Sequence, residues 1–148
     1  MLRAALLWGG FAAALNLAWE IAQLPLYTLY EQAAFPAVAY SVAHCAVGDV
    51  LVSLACYAAA ALALGDWRWP LSKPLPGIGI ALATGVIYTV FSEWLNVSVR
   101  GTWAYAPAMP TLFGIGLSPL VQWLVVPAGV LLLVRLTLPR WESSNLRP

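Results

Sequence analysis

Charged residues are the scarcest class in this chain: they make up 9% of its 148 residues, whereas hydrophobic residues make up 62%. Soluble domains carry about 25% charged residues, so this deficit excludes an ordinary soluble protein and predicts an integral membrane protein. The net charge of +1 comes without any cluster of Lys and Arg. No nucleic-acid partner is therefore expected, because such binding needs basic side chains that neutralise phosphates.

Cysteine and histidine are also scarce, with two Cys and one His. Cys45 and Cys56 fall on one predicted helix, where their separation corresponds to a rise of about 16 Å. A disulfide needs the two α-carbons within about 7 Å, so these cysteines cannot pair with each other. The sequence has no Cys-x-x-Cys motif, which argues against a thiol oxidoreductase. A single His disfavours a haem protein.

Long apolar segments are what the chain has in abundance, and a membrane span takes about 20 such residues. The predicted spans are Ala4–Leu24, Ser41–Leu64, Gly77–Val99 and Ile115–Leu138. Eight Trp and six Tyr fit the aromatic belts of a membrane protein. We therefore predict an all-α fold: residues 1–148 form a single four-transmembrane-helix bundle, and residues 139–148 form a short tail.

The basic residues are distributed unevenly between the two sides of the membrane that the predicted spans cross. Arg100 alone lies on one side, and the other side carries Arg3, Arg68, Lys73, Arg135, Arg140 and Arg147. The positive-inside rule then places both termini and the loop between the second and third spans in the cytoplasm. The other two loops face outward, and we expect the protein in the cell (inner) membrane.

The first span has one feature of a signal peptide, because Arg3 precedes the apolar stretch from Ala4 to Ala18. No small-x-small cleavage site precedes a polar segment, and the apolar stretch continues to Leu24. We interpret this segment as a retained helix.

Three carboxylates, Glu20, Asp49 and Glu93, lie inside apolar segments. A charge in hydrocarbon is costly, so an intramembrane ionisable residue indicates a functional site by default. The three lie roughly 6, 12 and 9 Å from the predicted outer ends of their helices. The inner halves carry residues such as Leu6 and Leu62 instead. The sequence thus predicts a polar pocket that opens outward above a dry, packed floor.

Other polar side chains fall at the same depth. Asn16 shares a helix face with Glu20, whereas His44 and Asp49 lie about 140° apart around their helix. Arg100 is interpreted as a counter-ion or an interface anchor, and Trp103 and Tyr105 as aromatic-belt residues or as a roof over the pocket. The catalytic candidates are Glu20, Glu93, Asp49 and His44, and the substrate-binding candidates are Asn16, Asn96, Gln122, Tyr88, Trp103, Tyr105 and Arg100.

The leading hypothesis is a membrane-embedded acid–base enzyme, a lyase, isomerase, cyclase or hydrolase, that acts on a lipid or isoprenoid-like amphiphile. Carboxylates that repel one another in a dry pocket favour a protonated acid beside an ionised partner. Glu20 and Glu93 are the expected acid–base pair, and Asp49 is expected to hold His44. The partners are the lipid bilayer and this small molecule, and a homo-oligomer is compatible with the sequence.

Three alternatives stay open. A divalent metal ion bound by His44, Asp49, Glu20 and Glu93 would make the protein a metal-dependent enzyme or a metal-binding protein; the leading hypothesis needs no cofactor. A proton- or cation-coupled transporter would have to work as an oligomer, because four helices are too few to enclose a path. An accessory membrane subunit would bury its polar side chains against a partner protein.

Overall fold

The structure, a computed structural model, describes residues 2–138 and is mainly helical. The tail expected at residues 139–148, with Arg140 and Arg147, lies outside the described residues. In chain order the elements are α1 (Leu2–Gln23), α2 (Leu29–Gln32), α3 (Phe35–Leu64), α4 (Trp69–Ser72), α5 (Pro74–Glu93), β1 (Thr111–Leu112), β2 (Ile115–Gly116) and α6 (Leu117–Thr137). Four of the helices in this range, α1, α3, α5 and α6, are long and apolar enough to cross a membrane.

The ends of these helices differ from the predicted span ends. α3 begins at Phe35 rather than Ser41, because Pro36 stands in the first helical turn, where its missing N–H costs no hydrogen bond. α6 begins at Leu117 rather than Ile115, because β2 pairs antiparallel with β1 in a short hairpin. This hairpin is an addition to the all-α expectation. A π-helical turn, Trp94–Val99, continues α5.

The four long helices form a ring in which α1 and α5 each pack against both α3 and α6. At one end, Arg135 Nη1 donates to the carbonyl of Pro70 at 3.3 Å, and the start of α1 meets the end of α6. We call this the terminal end. The opposite end of the bundle is called the loop end. There the connection between α1 and α3 is joined to the connection before β1 by hydrogen bonds from Thr28 N to Ala104 O and from Ala106 N to Leu26 O.

Aromatic side chains fill the terminal end. Trp8 and Trp69 are fully buried with ring centroids 5.1 Å apart, and Tyr57 packs against both. The Trp8 indole donates to Ser53 Oγ at 2.9 Å, and the Trp69 indole donates to the Tyr57 carbonyl at 3.1 Å. Buried aromatic residues with a polar tip usually find such partners.

This packing differs from the expected floor of aliphatic residues. Leu6 and Leu62, which the sequence suggested for the floor, are 64% and 71% exposed and face outward. Gly77 permits the aromatic packing, because a Cβ at this position would lie 2.0 Å from Trp69 Cε3. The core at this end therefore contains Trp and Tyr together with buried Ala and Val, whereas Leu6 and Leu62 lie on the outside.

Candidate functional site

Polar side chains from all four long helices meet toward the loop end. Glu20 of α1 and Asp49 of α3 are adjacent and partly buried. Glu93 of α5 is buried and lies within electrostatic range of Asp49. We call Glu20, Asp49 and Glu93 the acidic cluster. Three separate helices contribute its carboxyl groups, and α6 contributes an amide.

That amide belongs to Gln122. Its Nε2 donates to Asp49 Oδ2 at 2.8 Å and to Asn16 Oδ1 at 3.0 Å. Gln122 and Asn16 are each only 2% exposed. A carboxyl group removed from water needs hydrogen-bond donors, and Gln122 supplies one to Asp49 while joining α1, α3 and α6.

A second chain of hydrogen bonds leads from Glu20 to the surface of the bundle. Gln23 Nε2 donates to Glu20 Oε1 at 2.7 Å, and Ser118 Oγ donates to Gln23 Oε1 at 2.8 Å. The Trp19 indole donates to Ser118 Oγ at 3.3 Å. Trp19, Gln23 and Ser118, with Ala22 and Leu26, line a groove of about 230 Å³ between α1 and α6. The groove lies on the side of the bundle, whereas the expected pocket opened at its end.

Two tyrosines of the loop end lie over the acidic cluster. The Tyr105 hydroxyl donates to Glu93 Oε2 and accepts a hydrogen bond from Gly116 N at 2.9 Å. Burial, and then the carboxylate of Glu93, raise the pKa of Tyr105, so its hydroxyl keeps the proton that it donates. Tyr27 packs against Tyr105 with ring centroids 5.7 Å apart, and burial raises the pKa of Tyr27 as well. Trp103 also lies beside Glu93.

Four residues of the predicted site lie elsewhere. His44 is exposed and stacks on Tyr40 with ring centroids 5.9 Å apart, so Asp49 accepts a hydrogen bond from Gln122 rather than from His44. The remaining three are separated from the acidic cluster by exposure or by local hydrogen bonds. They are Tyr88, which is 46% exposed, Asn96, whose Nδ2 donates to Ser92 O at 2.9 Å, and Arg100, which is exposed.

Cys45 is a neighbour of the acidic cluster that was not predicted from the sequence. Its thiol lies within electrostatic range of Glu20, Asp49 and Glu93. The signal was present in the spacing, because Cys45 and Asp49 are four residues apart and share a helix face. Gln23 could likewise have been predicted as a site residue, because it lies three residues after Glu20 on the same helix face.

Within residues 2–138, no group of three or more His, Cys, Asp or Glu side chains is arranged to hold a metal ion. The arrangement of the described residues therefore gives no support to the metal alternative. No protein-family model, curated protein or solved structure matches this chain. The geometry of the site is thus the basis for a functional proposal.

Proposed function

We propose that the protein is a membrane-embedded enzyme that uses general acid–base catalysis on a lipid-like or isoprenoid-like amphiphile. The observation that carries this proposal is the adjacency of the Glu20 and Asp49 carboxyl groups, which accept hydrogen bonds of 2.7 Å from Gln23 and 2.8 Å from Gln122. Two adjacent carboxyl groups repel each other when both are ionised, which favours a state in which they share one proton. The pair therefore offers an acid and a base in one place, which proton transfer to and from a substrate needs.

The contacts support particular roles for the acidic side chains. Glu20 and Asp49 are the proton-exchanging pair, in place of the pair of Glu20 and Glu93 expected from the sequence. Gln122 fixes the Asp49 carboxyl group through its 2.8 Å hydrogen bond. Glu93, held by the Tyr105 hydroxyl, stabilises positive charge that develops on the substrate.

The groove lined by Trp19, Leu26 and Ser118 supports access from the bilayer. A membrane substrate has to bring its reactive group to Glu20 without leaving the hydrocarbon layer. Gln23 forms part of the groove and hydrogen-bonds Glu20, so the groove leads toward the pair. The excess of Lys and Arg toward the terminal end supports an outward-facing loop end in the cell membrane, and we propose that access is from the outer leaflet.

The terminal end supports an enzyme rather than a transporter. A conducted ion needs polar groups along its whole route. Trp8, Tyr57 and Trp69 are each at most 2% exposed and fill the bundle between the acidic cluster and the terminal end. A site that is reached through a lateral groove and is packed toward the terminal end suits a reaction on a bound molecule.

The test compares the lipids of cells that contain the wild-type protein with those of cells that contain the Glu20→Gln or Asp49→Asn variant. Mass spectrometry of lipid extracts should show a product that depends on the wild-type protein. Its rate of formation by purified protein should fall by about 10² to 10⁴-fold in either variant, the usual contribution of general acid–base catalysis. Glu31→Gln is the matched control, because Glu31 is exposed on α2. Full activity of both Glu20→Gln and Asp49→Asn would refute the proposal.

A further inference from the structure

Asn16 has a buried hydrogen-bond donor that no atom of residues 2–138 satisfies. Its side chain is 2% exposed, its Oδ1 accepts from Gln122, and its Nδ2 has no hydrogen-bond partner among these described residues. A buried donor without an acceptor costs about 1–3 kcal/mol, and such groups are rare in native structures. Asn16 stands one helical turn before Glu20 on the same face of α1. The unsatisfied donor therefore belongs to the acidic cluster and indicates an acceptor from outside the protein.

The charges around the cluster restrict what that acceptor is. The cluster carries three carboxyl groups, and among residues 2–138 its hydrogen bonds come from amide and hydroxyl donors, with no Lys or Arg side chain among them. Arg3 and Arg135 lie at the terminal end, and Arg100 is exposed. A phosphate or carboxylate brought into this site would meet carboxylates in a poorly screened environment, which is strongly unfavourable.

A hydroxyl group matches both the unpaired amide donor and the carboxyl acceptors of the site. Its oxygen accepts a hydrogen bond and its proton is donated, whereas an ammonium group has only donors and a carbonyl group has only acceptors. Asn16 Nδ2 offers a donor, and the carboxyl pair of Glu20 and Asp49 offers acceptors. One hydroxyl thus satisfies the unpaired amide and the acidic pair without bringing a further charge into the bundle.

We propose, building on the proposed acid–base function, that the site binds its amphiphile through an uncharged hydroxyl group and rejects phosphorylated amphiphiles. The hydroxyl oxygen accepts from Asn16 Nδ2, and its proton is donated to the pair of Glu20 and Asp49. The apolar chain leaves through the groove lined by Trp19 and Leu26. Asn16 is in this account a substrate-binding residue that selects the head group.

The experiment measures binding of farnesol and of farnesyl phosphate to the purified full-length protein in detergent, by native mass spectrometry and by tryptophan fluorescence. Wild-type protein should bind farnesol at least about tenfold more tightly than farnesyl phosphate. Asn16→Leu should weaken farnesol binding by about tenfold, since loss of one hydrogen bond of roughly 1.4 kcal/mol changes a dissociation constant tenfold. Gln32→Leu is the control, because Gln32 is an exposed amide on α2.

Asn16→Asp is a second variant in case Asn16→Leu does not fold. It keeps the shape of the side chain and replaces Nδ2 by oxygen, so it should also weaken farnesol binding. Equal or tighter binding of farnesyl phosphate, or unchanged farnesol binding by both Asn16 variants, would overturn the inference. Unchanged binding by the variants would mean that Asn16 Nδ2 meets only a structural water. The proposed function fails separately, through full turnover by Glu20→Gln and Asp49→Asn.

Discussion

Tyr105 and Glu93 are joined by a hydrogen bond in which the Tyr105 hydroxyl donates to Glu93 Oε2. Tyr105 lies in the connection that follows the third span, whereas Glu93 lies within that span. The same hydroxyl accepts from the backbone N–H of Gly116, just before α6. One side chain thus fixes the loop against both α6 and a buried carboxyl group, and closes the acidic cluster at the loop end.

Tyr105→Phe should destabilise the protein, because the substitution removes the donor to Glu93 and the acceptor of the Gly116 N–H. We expect a loss of about 1–3 kcal/mol, the usual cost of leaving buried polar groups without partners. Thermal unfolding in detergent measures it. Tyr30→Phe is the matched control, since Tyr30 is 52% exposed. Equal midpoints for the two variants would show that the hydroxyl of Tyr105 does not hold the loop.

Gln122→Leu should also destabilise the protein, by about 1–3 kcal/mol, because Asp49 and Asn16 lose the amide that donates to both. Gln32→Leu removes an amide from an exposed position of α2 and serves as control. The free energies of unfolding of the two variants are compared by SDS-induced unfolding in mixed micelles. A Gln122→Leu protein as stable as the control would contradict the bridging role of Gln122.

Gly77→Ala tests the aromatic packing of the terminal end. Alanine raises intrinsic helix stability by up to about 1 kcal/mol relative to glycine, but here its Cβ would lie 2.0 Å from Trp69 Cε3. Overpacking of this kind costs about 1–3 kcal/mol, so we expect a net loss of stability. Gly79→Ala is on the same helix with no atom within 4 Å of the added Cβ, and should be neutral or stabilising. The opposite order of thermal midpoints would refute the packing of Trp69 on α5.

The connection between α3 and α5 has a pH-dependent contact. Hydrogen bonds from Ser72 Oγ and then from the Arg68 N–H hold the pKa of Asp66 below its usual value. A lowered folded-state pKa gives stability that is present above the unfolded pKa of about 3.9 and is lost as pH falls through the folded pKa. Asp66 is only partly buried and lies in a surface connection, so the contribution stays below about 1 kcal/mol. Ser72→Ala should raise the pKa of Asp66 in a carboxyl NMR titration; an unchanged titration midpoint would contradict the contact.

The helical core of the fold was predictable because bilayer thickness and apolar segment length are local properties of a sequence. The ends of the spans were less predictable from the sequence. The start of α6 depends on pairing of Thr111 with Gly116, and the inward face of the terminal end depends on which residues neighbouring helices present to each other. Leu6 and Trp8 are two positions apart and both hydrophobic, yet only Trp8 is buried.

The candidate site was likewise predictable only in part. Helical spacing placed Asn16 with Glu20, and it separated His44 from Asp49 by about 140°, so that an inward Asp49 leaves His44 outside. Spacing also made Cys45 a neighbour of Asp49. The direct contact of Asp49 with Gln122, and of Tyr105 with Glu93, depends on helix rotation and on a loop held by Tyr27. Those relationships join residues far apart in sequence, and no local pattern encodes them.

The most direct test of the account is a double-mutant cycle between Glu20 and Asp49, with unfolding free energies measured for Glu20→Gln, Asp49→Asn and the combined variant. Residues in contact show interaction energies of about 0.5–3 kcal/mol, whereas separated residues add within about 0.3–0.5 kcal/mol. We predict an interaction energy above about 0.5 kcal/mol for this pair and additivity for Glu20→Gln combined with Glu31→Gln. Additive effects for Glu20 and Asp49 would mean that the two carboxyl groups do not share one site.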